Sequence, residues 1–223
     1  MGAVCTKIKQ RSMCWCVNRG KVRIIFINIL LTNWLINDKL KSVFQKDPIM
    51  ATARHPLPQD LVGASLDSIM TSYVGRFKDK KPDWAAFEDA KIEGFKRAQH
   101  RFIGAGGSGK YGDSSVIPPR GFTLSIMYVE PGQGNAAHTH EVEEVFFVLD
   151  GFLTVFIEDE EGNRLETRLG KWECVACPPG VIHGYINDSL APVYFQVMLG
   201  RAKPETMGYS DEKLYTKRDH HLK

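Results

Sequence analysis

His138 and His140 lie two apart in the segment HTH. On a β-strand that spacing puts both imidazoles on one face, a single pleat apart. Pro131, Gly132 and Gly134 precede them as turn residues, so the pair is expected near the beginning of a strand. Glu144 follows in EEVFFVLDG, where it shares a face with Phe146 and Val148. That face is apolar except at its first residue, where a carboxylate gains most from neutralisation by a cation. Glu141 and Glu143 are the competing carboxylates. A strand that begins at Glu143 turns that residue away from Glu144, and both read as solvated surface charges. Further on, PPGVIHGYIN places His183 at the start of another strand, after a Pro-Gly turn. Three imidazoles and one carboxylate suit a borderline divalent transition metal such as Fe(II), Mn(II), Ni(II), Cu(II) or Zn(II). Spacing alone does not say that these strands converge. His55, His100, His220 and His221 have no partners at ligand spacing and are expected to be bland.

Two other motifs carry weaker signals. In GAGGSGKYGDSS (Gly104–Ser115), the residues Gly104, Gly109 and Lys110 follow the phosphate-binding loop as far as its lysine. Tyr111 then stands where Ser or Thr should hold magnesium, and Pro118 and Pro119 block the helix that should follow. The expectation is a mobile loop near a barrel mouth. Cys174 and Cys177 form a lone CxxC ahead of a Pro-Pro-Gly turn, and they are expected to be buried strand residues.

The elements that must position these groups change character along the chain. Apolar residues from Asp60 to Phe77 recur in steps of three and four (Leu61, Val62, Leu66, Ile69, Met70, Tyr73, Val74, Phe77), which predicts an amphipathic helix. Pro82 and Asp83 open a second short helix, with Trp84 and Phe87 one turn apart. From Gly121 onward, FTLSIMYVE, EEVFFVLDG, FLTVFIEDEEGN, VIHGYIN and VYFQVML read as short strands. Pro131-Gly132, Asp150-Gly151, Glu161-Gly162 and Pro179-Gly180 punctuate them, which predicts an antiparallel sandwich or barrel.

Composition excludes several classes. Residues 1–49 carry a charge of +7 and the remainder −4, so the body is slightly acidic and offers no nucleic-acid surface. Three of the five cysteines fall in the first 16 residues, which leaves no disulfide framework for the body and points to a reducing, cytoplasmic setting. Within 1–49, the run IIFINILLTNWLI (Ile24–Ile36) is shorter than the roughly 20 residues a membrane helix needs, and no cleavage pattern follows it. MATARHPLPQDL, from Met50, reads like the natural start of a soluble chain. A cleaved or anchoring leader, or a structural extension, are the other readings of 1–49.

GQGNAAHTHEVEEVFFVLDG resembles the first motif of the cupin superfamily, with Gly132, His138, His140, Glu144 and Gly151 at its fixed positions. PPGVIHGYIN resembles the end of the second motif, with Pro178, Gly180, His183 and Asn187 in place. One departure is Trp172, where the motif has Gly. Phe152 to Leu169 has the length of the two-strand hairpin of small microbial cupins. The resemblance covers about Gly121 to Gly200 and implies a mainly β fold, an antiparallel jelly-roll barrel with N-terminal helices added here. It implies His138, His140, Glu144 and His183 as ligands of one divalent metal inside the barrel, with Fe(II) favoured over Mn, Ni, Zn or Cu. Trp172, Tyr128, Phe146, Phe156, Tyr185, Gln196 and Met198 are candidates for the cavity wall. Tyr185, two residues from His183 and on its face, is the foremost and the one candidate catalytic side chain.

The expected layout is a leader over 1–49, a helical region with the Gly-rich loop over 50–119, the barrel over 120–200 and a polar tail over 201–223. Many single-domain cupins with this ligand set resemble one another in being dioxygenases. The resemblance therefore implies a non-haem metal dioxygenase acting on a small aromatic or dicarbonyl compound. A redox-neutral isomerase or lyase and a small-ligand sensor are the alternatives. The expected partners are a small-molecule substrate and a second copy of the chain, with neither nucleic acid nor membrane.

Overall fold

The structure is a computed structural model that describes the backbone of residues 5–8, 11–18 and 21–24, and residues 55–223 in full. It divides into two units, residues 1–59 and 60–223. In the first, β1 (Cys5–Ile8), β2 (Arg11–Asn18) and β3 (Lys21–Ile24) pair in sequence order as an antiparallel sheet. The apolar run expected at Ile24–Ile36 lies, after Ile24, outside the described residues. Among the described residues no helix is long and apolar enough to cross a membrane.

The second unit is built on two five-stranded antiparallel sheets. Its strands are β4 (Ala98–Ile103), β5 (Thr123–Val129), β6 (His138–Thr139), β7 (Glu144–Asp150), β8 (Leu153–Glu158), β9 (Arg164–Leu169), β10 (Cys174–Cys177), β11 (Ile182–Ile186), β12 (Val193–Leu199) and β13 (Gly208–Tyr209). One sheet runs β10-β7-β12-β5-β4 and the other β13-β6-β11-β8-β9. Side chains alternate inward and outward along β5 and β7, as a strand period of two requires. Met127, Val129, Phe146, Val148, Leu153, Val155, Val193 and Phe195 meet in the core. Each contributes roughly 1.5–3 kcal/mol by leaving water. The turn expected at Asp150-Gly151 carries the chain from one sheet to the other. The expected hairpin over Phe152–Leu169 is formed by β8 and β9.

Two boundaries differ from the sequence reading. The barrel recruits β4 from the stretch assigned to helices and β13 from the stretch assigned to a polar tail. The helix expected from Asp60 to Phe77 is shorter: α1 spans Leu66–Tyr73, opened by Ser65, whose side chain accepts a hydrogen bond from Ser68 N–H. Gly63, at φ 81, breaks the pattern before it. The second helix, expected at Pro82, is absent. Asp83 does not cap a helix; it pairs with Gln99 in a β-bridge, and its carboxylate takes Arg101 and Lys110 at 3.0 Å each. A short α2 (Glu212–Tyr215) follows β13.

Candidate metal centre

The convergence that spacing could not supply comes from strand register. In the antiparallel pair of β11 and β6, His183 stands directly opposite His138. Residues so placed have side chains on one face within contact distance. Their rings lie 4.5 Å apart, centroid to centroid. His140 follows β6 in extended chain, with its ring 5.1 Å from that of His138. Glu144 opens β7 in the other sheet and faces them across the barrel interior. Its carboxylate lies 3.3 Å from His138 Nε2, 3.5 Å from His140 Nε2 and 2.8 Å from His183 Nε2. All four residues are buried. Ligand atoms of His138, His140 and Glu144 lie within 4.8 Å of one another. His183 joins them through Glu144, its ring 6.1 Å from that of His140.

Hydrogen bonds behind the rings fix their orientation. His183 Nδ1 is 2.8 Å from the Val181 carbonyl, which can only accept, so Nδ1 carries the hydrogen. His183 Nε2 in the neutral ring then turns a lone pair towards a carboxylate oxygen. Two acceptors at 2.8 Å repel unless a cation, proton or metal, lies between them. His138 Nδ1 is flanked by the Ala136 carbonyl at 3.0 Å and the Asn135 amide at 3.1 Å. Asn135 Oδ1 in turn accepts Tyr185 N–H at 2.8 Å, tying the ring to β11. Both nitrogens of His140 are buried with no hydrogen-bond partner. Such atoms are rare in a folded interior, and Nε2 pointing at the carboxylate suits a metal ligand.

The electrostatics agree. Burial drives His138 down to about 4, against the hydrogen bond to the Glu144 carboxylate, which favours the charged ring. Burial alone would raise the Glu144 carboxyl, but the imidazoles of His140, His138 and His183 around it hold it well below the usual carboxylate range. Burial also pulls His183 down, and there the hydrogen bond and charge of Glu144 win and raise it. The donor set is therefore one ionised carboxylate with three imidazoles, a set that fits a borderline divalent transition metal.

A narrow cavity of about 20 Å³ opens onto His138, His140 and Glu144. That is room for about one water-sized group. Phe87, Met127, Phe146, Val197 and Met207 give it apolar walls, and Arg97, Gln99, Thr123, Ser125, Asn135 and Tyr185 add polar ones. The Gly-rich segment is not an open loop. Gly106–Ser108 is a buried turn against β5 and β12, and a Cβ on Gly107 would stand 3.0 Å from His140 Cε1. His221, expected to be bland, reaches the Ser108 carbonyl at 2.7 Å from the C-terminal segment.

Among the expected wall residues, Phe146 and Tyr185 line the cavity and the others do not. Tyr185 packs edge-on against Phe146 and Phe195, and burial pushes its phenol up, so it stays a neutral donor. Trp172 is 65% exposed. Tyr128, Gln196 and Met198 lie one position out of phase with the inward residues of β5 and β12, and Phe156 packs beside Gly184. Cys174 is exposed and Cys177 buried, so the expectation of two buried cysteines holds for one. Burial, reinforced by Glu144 and Glu143, pushes the Cys177 thiol up to about 12, which leaves no thiolate for redox or zinc chemistry.

Sequence reasoning missed Arg97, Gln99, Thr123, Ser125 and Asn135 in the wall. Asn135 falls among the unspecified residues between Gly132 and His138 of the first motif, so no sequence signal marked it.

Residues 125–199 match the family model described as the cupin domain. No curated protein matches the chain. Among solved structures, a Thermus thermophilus protein is 26% identical over 38% of this chain and 74% of its own, with a TM-score of 0.33. The oxalate decarboxylase of Lactobacillus farciminis, solved as a formate complex, is 16% identical over 66% of this chain, with a TM-score of 0.47. The chain spans only 38% of that enzyme's length. A conserved Klebsiella pneumoniae protein with a double-stranded beta-helix domain is 18% identical over 44% of this chain and 81% of its own, with a TM-score of 0.38. All three TM-scores lie below 0.5, and no property of these proteins passes to this chain. The family match and the two facing antiparallel sheets together identify a cupin domain in this chain, matched over residues 125–199.

Proposed function

We propose that His138, His140, Glu144 and His183 hold one divalent transition metal, with Fe(II) the favoured ion, and that the domain is a metal-dependent dioxygenase. The observation that carries the metal reading is the 2.8 Å approach of His183 Nε2 to Glu144 Oε2, with His183 Nδ1 already committed to a backbone carbonyl. A redox-active ion there would supply Lewis acidity and a path for electrons to dioxygen.

The chain's own residues do the rest. Apolar side chains and the Gly106–Ser108 turn exclude water, which strengthens every charge interaction in the site. Asn135 and the Ala136 carbonyl hold the His138 ring, and Tyr185 offers a neutral O–H on the same wall. The substrate in this reading is a small aromatic or dicarbonyl compound, and a cavity of about 20 Å³ admits either only if its walls move. We place the homodimer and the cytoplasmic setting with this reading, as proposals that follow from the family resemblance and the cysteine distribution.

Oxygen uptake tests it. The full chain, loaded anaerobically with Fe(II), should consume dioxygen with small diketones or hydroxy ketones in stoichiometry with product. Turnover that proceeds equally without oxygen would replace this reading with isomerase or lyase chemistry. Tight binding without turnover would replace it with a sensor.

A further inference from the structure

Gln99 and Ser125 sit on neighbouring strands, β4 and β5, and both line the metal-site cavity. Each is 2% exposed. Gln99 Nε2 donates to the Ala105 carbonyl at 3.3 Å and to Ser125 Oγ at 3.0 Å. The carbonyl can only accept, so it fixes which end of the amide is nitrogen. Gln99 Oε1 is then a buried acceptor with no partner in the protein. Ser125 Oγ takes a hydrogen from Gln99 and keeps its own hydroxyl hydrogen to give. A free acceptor and a free donor therefore lie on two hydrogen-bonded residues, and together they complement one hydroxyl group.

Their position relative to the metal ligands is set by two glycines. A Cβ on Gly106 would stand 2.9 Å from Gln99 Nε2 and 3.3 Å from Ser125 Oγ, and a Cβ on Gly107 would crowd His140. Consecutive side-chain-free residues thus pass over the polar pair and over a ligand. Arg97, the wall's one cation, does not compete for an anionic group, because Asp89 neutralises it at 2.8 Å with both side chains at or below 1% exposure.

We propose that Gln99 and Ser125 are the recognition pair for a hydroxyl group of the ligand, so that the site selects small α-hydroxy acids, α-hydroxy ketones or their enediols. This rests on the metal reading above. The hydroxyl fills the room for about one water-sized group, donating to Gln99 Oε1 and accepting from the Ser125 hydroxyl, and the ligand's carbonyl or carboxylate end reaches the metal ligands as the cavity wall yields.

Glycolate and acetate differ by that hydroxyl alone and serve as probes. The full chain is loaded with Co(II), and each probe is titrated while the visible spectrum of the ion is followed. Glycolate can chelate an ion through both its oxygens, so the reading is the change in its preference over acetate between variants. Gln99→Met should lower that preference about tenfold, and Ser125→Ala roughly threefold, with Co(II) stoichiometry and acetate affinity unchanged. If Gln99→Met does not fold, Ser125→Ala decides the matter. An unchanged preference in the folded variants overturns the inference, as does a loaded wild-type chain that responds to neither probe. A wild-type chain that takes up no Co(II) overturns the metal reading and this inference with it.

Discussion

His183 Nε2 faces Glu144 Oε2 at 2.8 Å, joining a strand of one sheet to a strand of the other across the barrel interior. The contact is between a ring nitrogen whose lone pair is fixed by the Val181 carbonyl and a carboxylate held ionised in a buried place. It makes a buried cluster that needs a positive charge between nitrogen and oxygen to be stable.

Acid should therefore destabilise the metal-free chain. His138 ordinarily titrates at 6.5 but sits at about 4 in the fold, so the unfolded chain takes up its proton first as pH falls. The stability this contributes is present above about pH 6.5 and is lost progressively towards pH 4, by up to about 3 kcal/mol. Glu144, also depressed, adds a loss below its ordinary value of 4.5. His183 is raised and opposes in part, adding stability below 6.5 that fades as pH rises through its folded value. The Tm of the metal-free full chain should fall between pH 6.5 and 4, and a flat or rising Tm would contradict the electrostatics described.

Gly107→Ala should weaken metal binding without unfolding the chain. The new methyl would stand 3.0 Å from His140 Cε1 and 3.4 Å from Met207 Cγ, so the imidazole must shift. A displaced ligand ring costs roughly 10–100-fold in affinity. Competition with a chromophoric chelator reads this directly, and wild-type affinity in the variant would show that the turn does not touch the site.

The buried Arg97–Asp89 pair supports the site from behind, since Asp89 Oδ2 also accepts Ala136 N–H at 3.0 Å, two residues before His138. Arg97→Met should cost about 3–5 kcal/mol by leaving Asp89 charged and buried. Arg97→Met with Asp89→Leu should cost less than the two single changes added together. Urea denaturation of the four chains measures the coupling, and strict additivity would mean that the pair is not coupled.

Trp172 stands where the motif has Gly, and it adopts φ 71, its N–H donating to the Val148 carbonyl at 2.9 Å. The turn survives the departure because the backbone hydrogen bond is kept. Trp172→Gly relieves roughly 1–2 kcal/mol of left-handed strain, but loses the contact with Phe147 and frees the unfolded chain. The net change in stability should be under about 1 kcal/mol. Gly134→Ala, by contrast, would press a methyl into the Tyr185 carbonyl and should cost about 2–3 kcal/mol. A larger loss at Trp172 than at Gly134 in urea denaturation would reverse this ranking.

What the sequence made legible follows from period and turn chemistry. The alternation of β5 and β7, the Pro-Gly turns and the His138–His140 pair are local, and they carried the barrel and half the site. The register that sets His183 opposite His138 is a tertiary fact and came only through family resemblance. β4 was invisible because AQHRFI buries Gln99 beside Ala98 and so shows no alternation. In β12, VYFQVML is apolar at nearly every position, so its phase is not legible, and Gln196 and Met198 fall on the face away from the cavity. The missing β4 hid Gln99 in the polar wall.

Metal stoichiometry tests the central claim most directly. The full chain, dialysed against Fe(II), Mn(II) or Co(II) and assayed by elemental analysis, should hold one ion per chain, and His183→Ala, folded by circular dichroism, should hold none or a fraction. A wild-type chain without metal, or a His183→Ala chain that keeps its full equivalent, would contradict the site.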